Sequence, residues 1–321
     1  MVSSVVALCS QKVGRQKSLI QFKQMNCSFY QVDVFTKIPF GGNPLAVVFD
    51  TEGLTSQNMQ NIAREMNLSE TTFVLPSDNL AADFSVRIFT PEKELPFAGH
   101  PTIGTAHILR ETGKVFSGNY KIKLAMKVGI VTVSELGRKN LLFMDQLLPV
   151  FHPPLDCSEE LGKALGLSTK DINSTSKPIQ IVSTGLPVLV VPITSLQALK
   201  EILVDTKRLN HLLTRLGIDL ICVYTCETFD PTATIHSRVF APKLGIPEDP
   251  ATGSAAGATG AYLSINNCLS KDDCENICIE QGHIMGRPSD LFVCVEKNND
   301  VIESVRVGGE SVTIIKGDIR T

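Results

Sequence analysis

Arg87-Ile-Phe-Thr-Pro91, followed by Pro101-Thr-Ile-Gly104-Thr105-Ala106, is the stretch that decides the fold, because it occurs twice. The second copy reads Arg238-Val-Phe-Ala-Pro242, followed by Pro250-Ala-Thr-Gly253-Ser254-Ala255. Upstream, Asn43-Pro44-Leu-Ala-Val-Val48 resembles Leu186-Pro187-Val-Leu-Val-Val191. The repeating unit is nearly half the chain, far longer than a solenoid repeat. Two similar α/β units with a cleft between them are therefore expected: residues 26–145 and 146–321, preceded by an extension over 1–25.

The order within a unit is strand, helix, strand, strand, helix, strands. Phe29 to Phe35 and Leu45 to Phe49 read as strands. Met59, Ile62, Ala63 and Met66 fall on one helical face, predicting a helix from about Thr55 to Asn67. Thr71 to Leu75 is β-branched and apolar, and Phe84, Val86 and Ile88 alternate with Ser85 and Arg87, so two strands follow. Pro101 at the opening position and Gly113 at the close bracket a helix. The second copy starts its helix near Pro250, with Asp249 as N-cap. Both helices open on small residues, which serve either close approach of a ligand or tight packing on the sheet.

The chain has 321 residues, 43% hydrophobic and 20% charged, with a net charge of −3. This excludes a disordered chain. With no basic surplus, general nucleic-acid binding is not expected. The longest apolar run, Leu186 to Ile193, is too short to span a membrane. Nine cysteines, an odd number without a CxxC, read as scattered reduced thiols in a reducing compartment, the cytoplasm. Residues 1–25 are basic, Ser-containing and free of acid, the composition of a transit peptide; the alternative, which is preferred, is an extension ahead of a functional start at Met25.

The repeat pairs His100 with Asp249, each just before its proline. If the units face each other, the two side chains meet at helix N-termini, which favour anions. Glu70, in Leu68-Ser69-Glu70-Thr71-Thr72-Phe73, is an unusual residue at the start of an apolar strand. Arg87 and Arg238, on matching strands, are expected to be ion-pair partners. GxGxxG after a strand, GxxxxGK[ST], GxSxG and HExxH are all missing, so nucleotide, metal and serine-hydrolase readings have no anchor.

Gly42-Asn43-Pro44-Leu45-Ala46-Val47, Ser69-Glu70-Thr71-Thr72-Phe73-Val74, Phe89-Thr90-Pro91, Gly99-His100-Pro101-Thr102-Ile103-Gly104 and Glu248-Asp249-Pro250-Ala251-Thr252-Gly253-Ser254-Ala255 together resemble the phenazine-biosynthesis (PhzF-like) family over about residues 26 to 321. The resemblance implies an α+β, diaminopimelate-epimerase-like fold, two pseudo-symmetric domains each with a β-sheet wrapped around a central helix, and commonly a homodimer. It also implies an isomerase that moves a proton between carbons of a small cyclic or unsaturated carboxylate without cofactor or metal. Catalytic roles fall on Glu70, His100 and Asp249, and substrate binding on Gly99, Gly253 and Ser254. Glu70 would be the general acid/base, its ordinary pKa near 4.3 raised by desolvation. The racemases of the same fold carry a thiol where this chain has Ala98, which argues against a two-cysteine racemase. Two alternatives stay open beside the isomerase: a binding or scaffolding protein without turnover, and an amino-acid racemase or epimerase.

Overall fold

The computed structural model describes residues 26–115, 121–137, 139–266, 268–269, 273–298 and 301–321. The expected N-terminal extension, with its transit-peptide reading, lies outside them. Alternating apolar residues build the first run of elements: β1 (Asn26–Val34), β2 (Asn43–Val48), α1 (Ser56–Met66), β3 (Glu70–Leu75), β4 (Phe84–Phe89), β5 (Glu94–Leu95), α2 (Gly99–Glu111), β6 (Lys121–Met126), β7 (Gly129–Glu135) and β8 (Leu142–Asp145). The second run is β9 (Val150–Leu155), α3 (Ser158–Leu165), α4 (Thr169–Asn173), β10 (Ile179–Ser183), β11 (Pro187–Pro192), α5 (Leu196–Glu201), α6 (Thr206–Leu216), β12 (Leu220–Thr225), β13 (Ile235–Ala241) and β14 (Ile246–Asp249). It continues through α7 (Gly253–Ile265), β15 (Ile277–Gln281), β16 (Ser289–Asn298), β17 (Val301–Gly309) and β18 (Ser311–Arg320).

The pairings repeat. β1 and β2 are antiparallel, β2 and β3 parallel, β3 and β4 antiparallel, β4 parallel to β6, and β6, β7 and β8 form a meander. β10 to β17 run through the same pairings in the same order. β8 and β17 join the two runs antiparallel. The strand after each run crosses over: β9 pairs with β10, and β18 pairs with β1 along its whole length. The last strand of the chain therefore completes the sheet of the first run. Each sheet curves around one helix, α2 against β1, β2 and β8, and α7 against β10, β11, β16 and β17. This is the α+β architecture implied by the resemblance.

Packing explains the central helices. In α7 every residue from Ala255 to Ser264 is buried, and a helix that is apolar all round belongs inside a core. A Cβ on Gly260 would lie 2.6 Å from Val293, and one on Gly104 2.6 Å from Leu45, so these two glycines let helix and sheet approach closely. β12 is buried on both faces: Cys222 and Tyr224 point toward the α7 core, while Ile221 and Val223 meet the layer of α3, α5 and α6.

Helix starts differ from the sequence expectation in two places. α1 matches it, with Thr55 as N-cap and Asn67 closing in the left-handed region. α2, however, begins at Gly99, so Pro101 sits third in the helix rather than first. Asp249 is not the N-cap of α7. It ends β14, paired with Val239, and the cap is Thr252. Hydrogen bonds draw the Asp249 carboxylate toward Asn43 and Thr252, away from the first-turn N–H groups. Arg87 pairs with Glu94 at 2.8 Å and Arg238 with Glu248 at 2.7 Å, as structural ion pairs. Among the described residues no helix is long and apolar enough to cross a membrane.

Candidate active site

Glu70 is the first residue of β3, opposite Leu45 of β2 in parallel register. The strand carries it under the first turn of α2, where its side chain is 13% exposed. His100, the second residue of α2, brings Nε2 to 3.4 Å from Glu70 Oε2. Neither atom has a hydrogen-bond partner, although both are buried. Burial drives the His100 pKa down to about 3, so the imidazole is neutral at physiological pH. Burial, and then the negative charge of Asp249, push Glu70 up to about 7; the Ser69 hydroxyl offsets part of this. The Glu70–His100 contact is thus not an ion pair, but two buried, uncompensated polar atoms side by side.

Asp249 stands beside Glu70 from the other run of elements. Its Oδ1 accepts from Asn43 Nδ2 at 2.9 Å, and its Oδ2 accepts from the Thr252 hydroxyl. Burial raises Asp249 to about 6, while the Thr252 and Asn43 hydrogen bonds pull the other way. Gln281 braces this turn: its Nε2 donates to the Asp249 carbonyl at 2.7 Å and to Thr252 Oγ1 at 3.1 Å, and its Oε1 accepts from the Thr252 N–H at 3.2 Å.

Gly99, Gly253 and Ser254 sit at the openings of α2 and α7, each helix 13 residues long. The first intrahelical bond of α7 runs from the Ala256 N–H to the Thr252 carbonyl at 2.9 Å, which leaves the N–H groups of Gly253, Ser254 and Ala255 without acceptors in the helix. A Cβ on Gly99 would meet Met144 at 3.8 Å, and one on Gly253 would meet the Phe35 ring at 3.5 Å, both ordinary contacts. Protein packing does not demand glycine at either position, in contrast to Gly104 and Gly260. The two readings of the small residues are thereby divided along each helix: close packing requires glycine further in, and does not require it at the mouth.

The structure corrects the pairing of His100 with Asp249 as repeat equivalents. Gly99 and Gly253 open matching helices, and the Arg87–Glu94 and Arg238–Glu248 pairs match in the same alignment, so the counterpart of His100 is Ser254. The prolines that suggested the pairing lie five residues out of structural register. His100 and Asp249 nevertheless both reach Glu70, one from a helix and one from a strand end. Asn43, Ser69, Thr252 and Gln281 received no role from sequence. Asn43, Ser69 and Thr252 lay inside quoted motifs, but only the folded chain shows which atoms they meet.

One group away from these carboxylates has metal-ligand chemistry: His236, Glu280 and His283, with candidate ligand atoms within 4.8 Å of one another. Glu280 already accepts from the Phe229 and Asp230 N–H groups and contacts His236 Nδ1 at 2.9 Å, and His283 stacks on Phe229. These bonds make it a brace for the 229–232 turn.

Comparison with known proteins identifies the family and the fold. The family model for phenazine biosynthesis-like proteins (PhzC-PhzF) matches residues 32–317. A trans-2,3-dihydro-3-hydroxyanthranilate isomerase of Pseudomonas chlororaphis is 37% identical over 90% of this chain and 97% of its own. An uncharacterized isomerase of Mesorhizobium japonicum is 37% identical over 89% of this chain and 96% of its own. A crystal structure of a PhzF-family phenazine biosynthesis protein of Bacillus anthracis superimposes with a TM-score of 0.83 at 29% identity, covering 92% of this chain and 99% of the other. A hydroxyproline epimerase of Agrobacterium vitis shares the fold, with a TM-score of 0.61 at 12% identity over 92% of each chain. With two repeated sheets around central helices, facing carboxylates where they meet, and a family match over most of its length, the chain belongs to the phenazine biosynthesis-like (PhzC-PhzF) isomerase family.

Proposed function

We propose that this isomerase moves a proton between two carbons of a small cyclic, unsaturated carboxylate, with Glu70 as the general acid/base. The carrying observation is the pair of orphaned, buried atoms, Glu70 Oε2 and His100 Nε2, 3.4 Å apart. Buried polar atoms without partners are costly in a folded protein, and a ligand that satisfies both removes that cost.

The chemistry follows from the charges. Glu70, held at about 7, is close to an even mixture of acid and base at neutral pH, the condition in which one group can both take and return a proton. In its ionised form it accepts a proton from a carbon activated by the neighbouring unsaturation. The electron pair of that C–H bond moves into the conjugated system. The protonated carboxyl, whose proton exchanges with solvent, then delivers a proton to another carbon, and the double bond shifts. No net oxidation occurs and Glu70 ends as it began. His100, being neutral, orients a polar substituent of the substrate. The first-turn N–H groups of α7, at Gly253 and Ser254, bind its carboxylate and offset charge that develops in the transition state. Gly99 leaves room at the opposite helix. Asp249 keeps its charge beside Glu70, which sustains the raised pKa. We take the protein to act on its small-molecule substrate as a homodimer, without metal or cofactor.

The Pseudomonas relatives make trans-2,3-dihydro-3-hydroxyanthranilate the first substrate to offer. The test is incubation in D₂O with that compound and a library of small unsaturated carboxylates, reading deuterium at carbon by NMR. Isomerisation with a shifted hydrogen is expected for the unmodified protein and a loss of about 10²–10⁴-fold for Glu70→Gln. Undiminished exchange by Glu70→Gln would overturn the assignment.

A further inference from the structure

The two carboxylates of the site are treated very differently by their surroundings, and Asn43 is at the centre of the difference. Asn43, first residue of β2, is 1% exposed. Its Nδ2 donates across the seam to Asp249 Oδ1 at 2.9 Å and to the Ala251 carbonyl at 3.0 Å, residues more than 200 positions away. Its Oδ1 accepts from the Ser69 hydroxyl at 3.3 Å, the residue preceding Glu70. Both oxygens of Asp249 therefore receive hydrogen bonds, one from Asn43 and one from Thr252, whereas Glu70 Oε2 receives none and the Ser69 hydroxyl alone favours the charged form of Glu70.

A carboxylate that accepts hydrogen bonds is stabilised in its charged form, and one buried without them is stabilised as the neutral acid. Two close carboxyl groups also disfavour double ionisation, so the better hydrogen-bonded member keeps the charge and the other takes the proton. The remaining charged groups around the pair do not reverse this order. His100, from α2, is neutral. Arg238 of β13 is engaged with Glu248 of β14. Arg287 donates to Asp33 of β1 and to the carbonyls of Gly41 and Gly42, just ahead of Asn43. That last pair holds the Asn43 backbone in place without neutralising Asp249.

We propose that Asn43 is a positioning residue: by donating to Asp249 across the seam, it makes Asp249 the member of the pair that stays charged and Glu70 the member that takes up and gives back the proton. This rests on the acid/base role proposed for Glu70, and it adds a division of labour between the carboxylates. Asn43 never touches the reacting carbon; it acts through Asp249. The same logic gives the Thr252 hydroxyl a parallel part.

The experiment is a carboxyl titration in the ligand-free protein, which requires neither substrate nor turnover. Side-chain carboxyl carbons are labelled with ¹³C, followed by NMR across pH, and assigned with Glu70→Gln and Asp249→Asn. Asn43→Ala is expected to raise the Asp249 midpoint by about one unit and to lower that of Glu70, since the charge facing Glu70 is weakened. Thr252→Val should move both midpoints in the same directions, and Thr252→Ser, which retains the hydroxyl, should restore them. Should Asn43→Ala unfold the chain, the Thr252 pair reads the same balance from the other oxygen. Unmoved midpoints in both Asn43→Ala and Thr252→Val, with Glu70 still near neutrality in the unmodified protein, would overturn this inference and leave the catalytic reading standing. A Glu70 midpoint in the ordinary carboxylate range in the unmodified protein would overturn both.

Discussion

Glu70 Oε2 lies 3.4 Å from His100 Nε2, and neither atom is hydrogen-bonded to anything else in the protein. One comes from a strand of β-branched and apolar residues and the other from the first turn of a buried helix. Each predicts a measurable behaviour.

The pH dependence of turnover has a defined sign. Burial and the Asp249 charge place Glu70 at about 7, and the step as proposed begins with its ionised form. Turnover should therefore fall as pH drops through about 7, close to tenfold per unit on the acid side. Asp249→Asn removes the neighbouring charge and should displace this limb toward lower pH. An isomerisation profile recorded from pH 5 to pH 9 checks both statements.

Stability should respond to the same carboxyl in the opposite sense. A folded-state pKa above the unfolded value means that the native state binds more protons over the interval between them. Glu70 thus destabilises the fold progressively as pH rises from about 4.5 to about 7, and its full cost is present above that. Glu70→Gln keeps the shape and removes the charge. The variant is expected to turn over about 10²–10⁴-fold more slowly, yet to be more stable than the unmodified protein at pH 8, by on the order of 2 kcal/mol, with little difference at pH 4.5. Urea denaturation at the two pH values is the measurement.

The glycines separate packing from ligand space. Gly260→Ala forces a Cβ to 2.6 Å from Val293 and should cost about 1–3 kcal/mol with a lowered Tm. Gly253→Ala meets the Phe35 ring at 3.5 Å and Val307 at 3.8 Å, both ordinary contacts, so Tm should be kept or slightly raised, as alanine favours a helix over glycine. If the mouth of α7 receives the substrate carboxylate, the same variant should raise KM at least tenfold. Thermal melts and steady-state kinetics on the two proteins are sufficient.

Arg238 offers a prediction about the scaffold. Its side chain is 9% exposed, and its guanidinium pairs with Glu248 and donates to the Leu199 and Ile202 carbonyls at 2.9 and 3.2 Å. Arg238→Leu strands the half-buried Glu248 carboxylate and two carbonyls, and should destabilise by about 3 kcal/mol. Arg87→Leu breaks the equivalent pair with Glu94, but that arginine is 28% exposed, and the loss should be smaller. Paired denaturation midpoints test the ranking.

What the sequence determined by itself is what depends on near neighbours and on residue chemistry. Alternation at Phe84–Ile88, helical spacing at Met59–Met66 and the closing Gly113 all read correctly, because local sterics and the burial of one face dictate them. Duplication was legible because two copies must satisfy the same packing; β1–β8 and β10–β17 are those copies. Glu70, His100 and Asp249 stood out as polar residues in apolar or helix-opening settings.

Only the tertiary structure decided how these residues meet. The sequence match of His100 with Asp249 was out of register, since short proline motifs constrain a turn and not the strand pairing that aligns two sheets. Asn43 acquires its importance from a contact more than 200 residues away, which no local pattern encodes. The raised pKa of Glu70 is likewise a property of what surrounds it: desolvation and a neighbouring charge exist only once the curved sheets have brought β2, β3, α2 and β14 together.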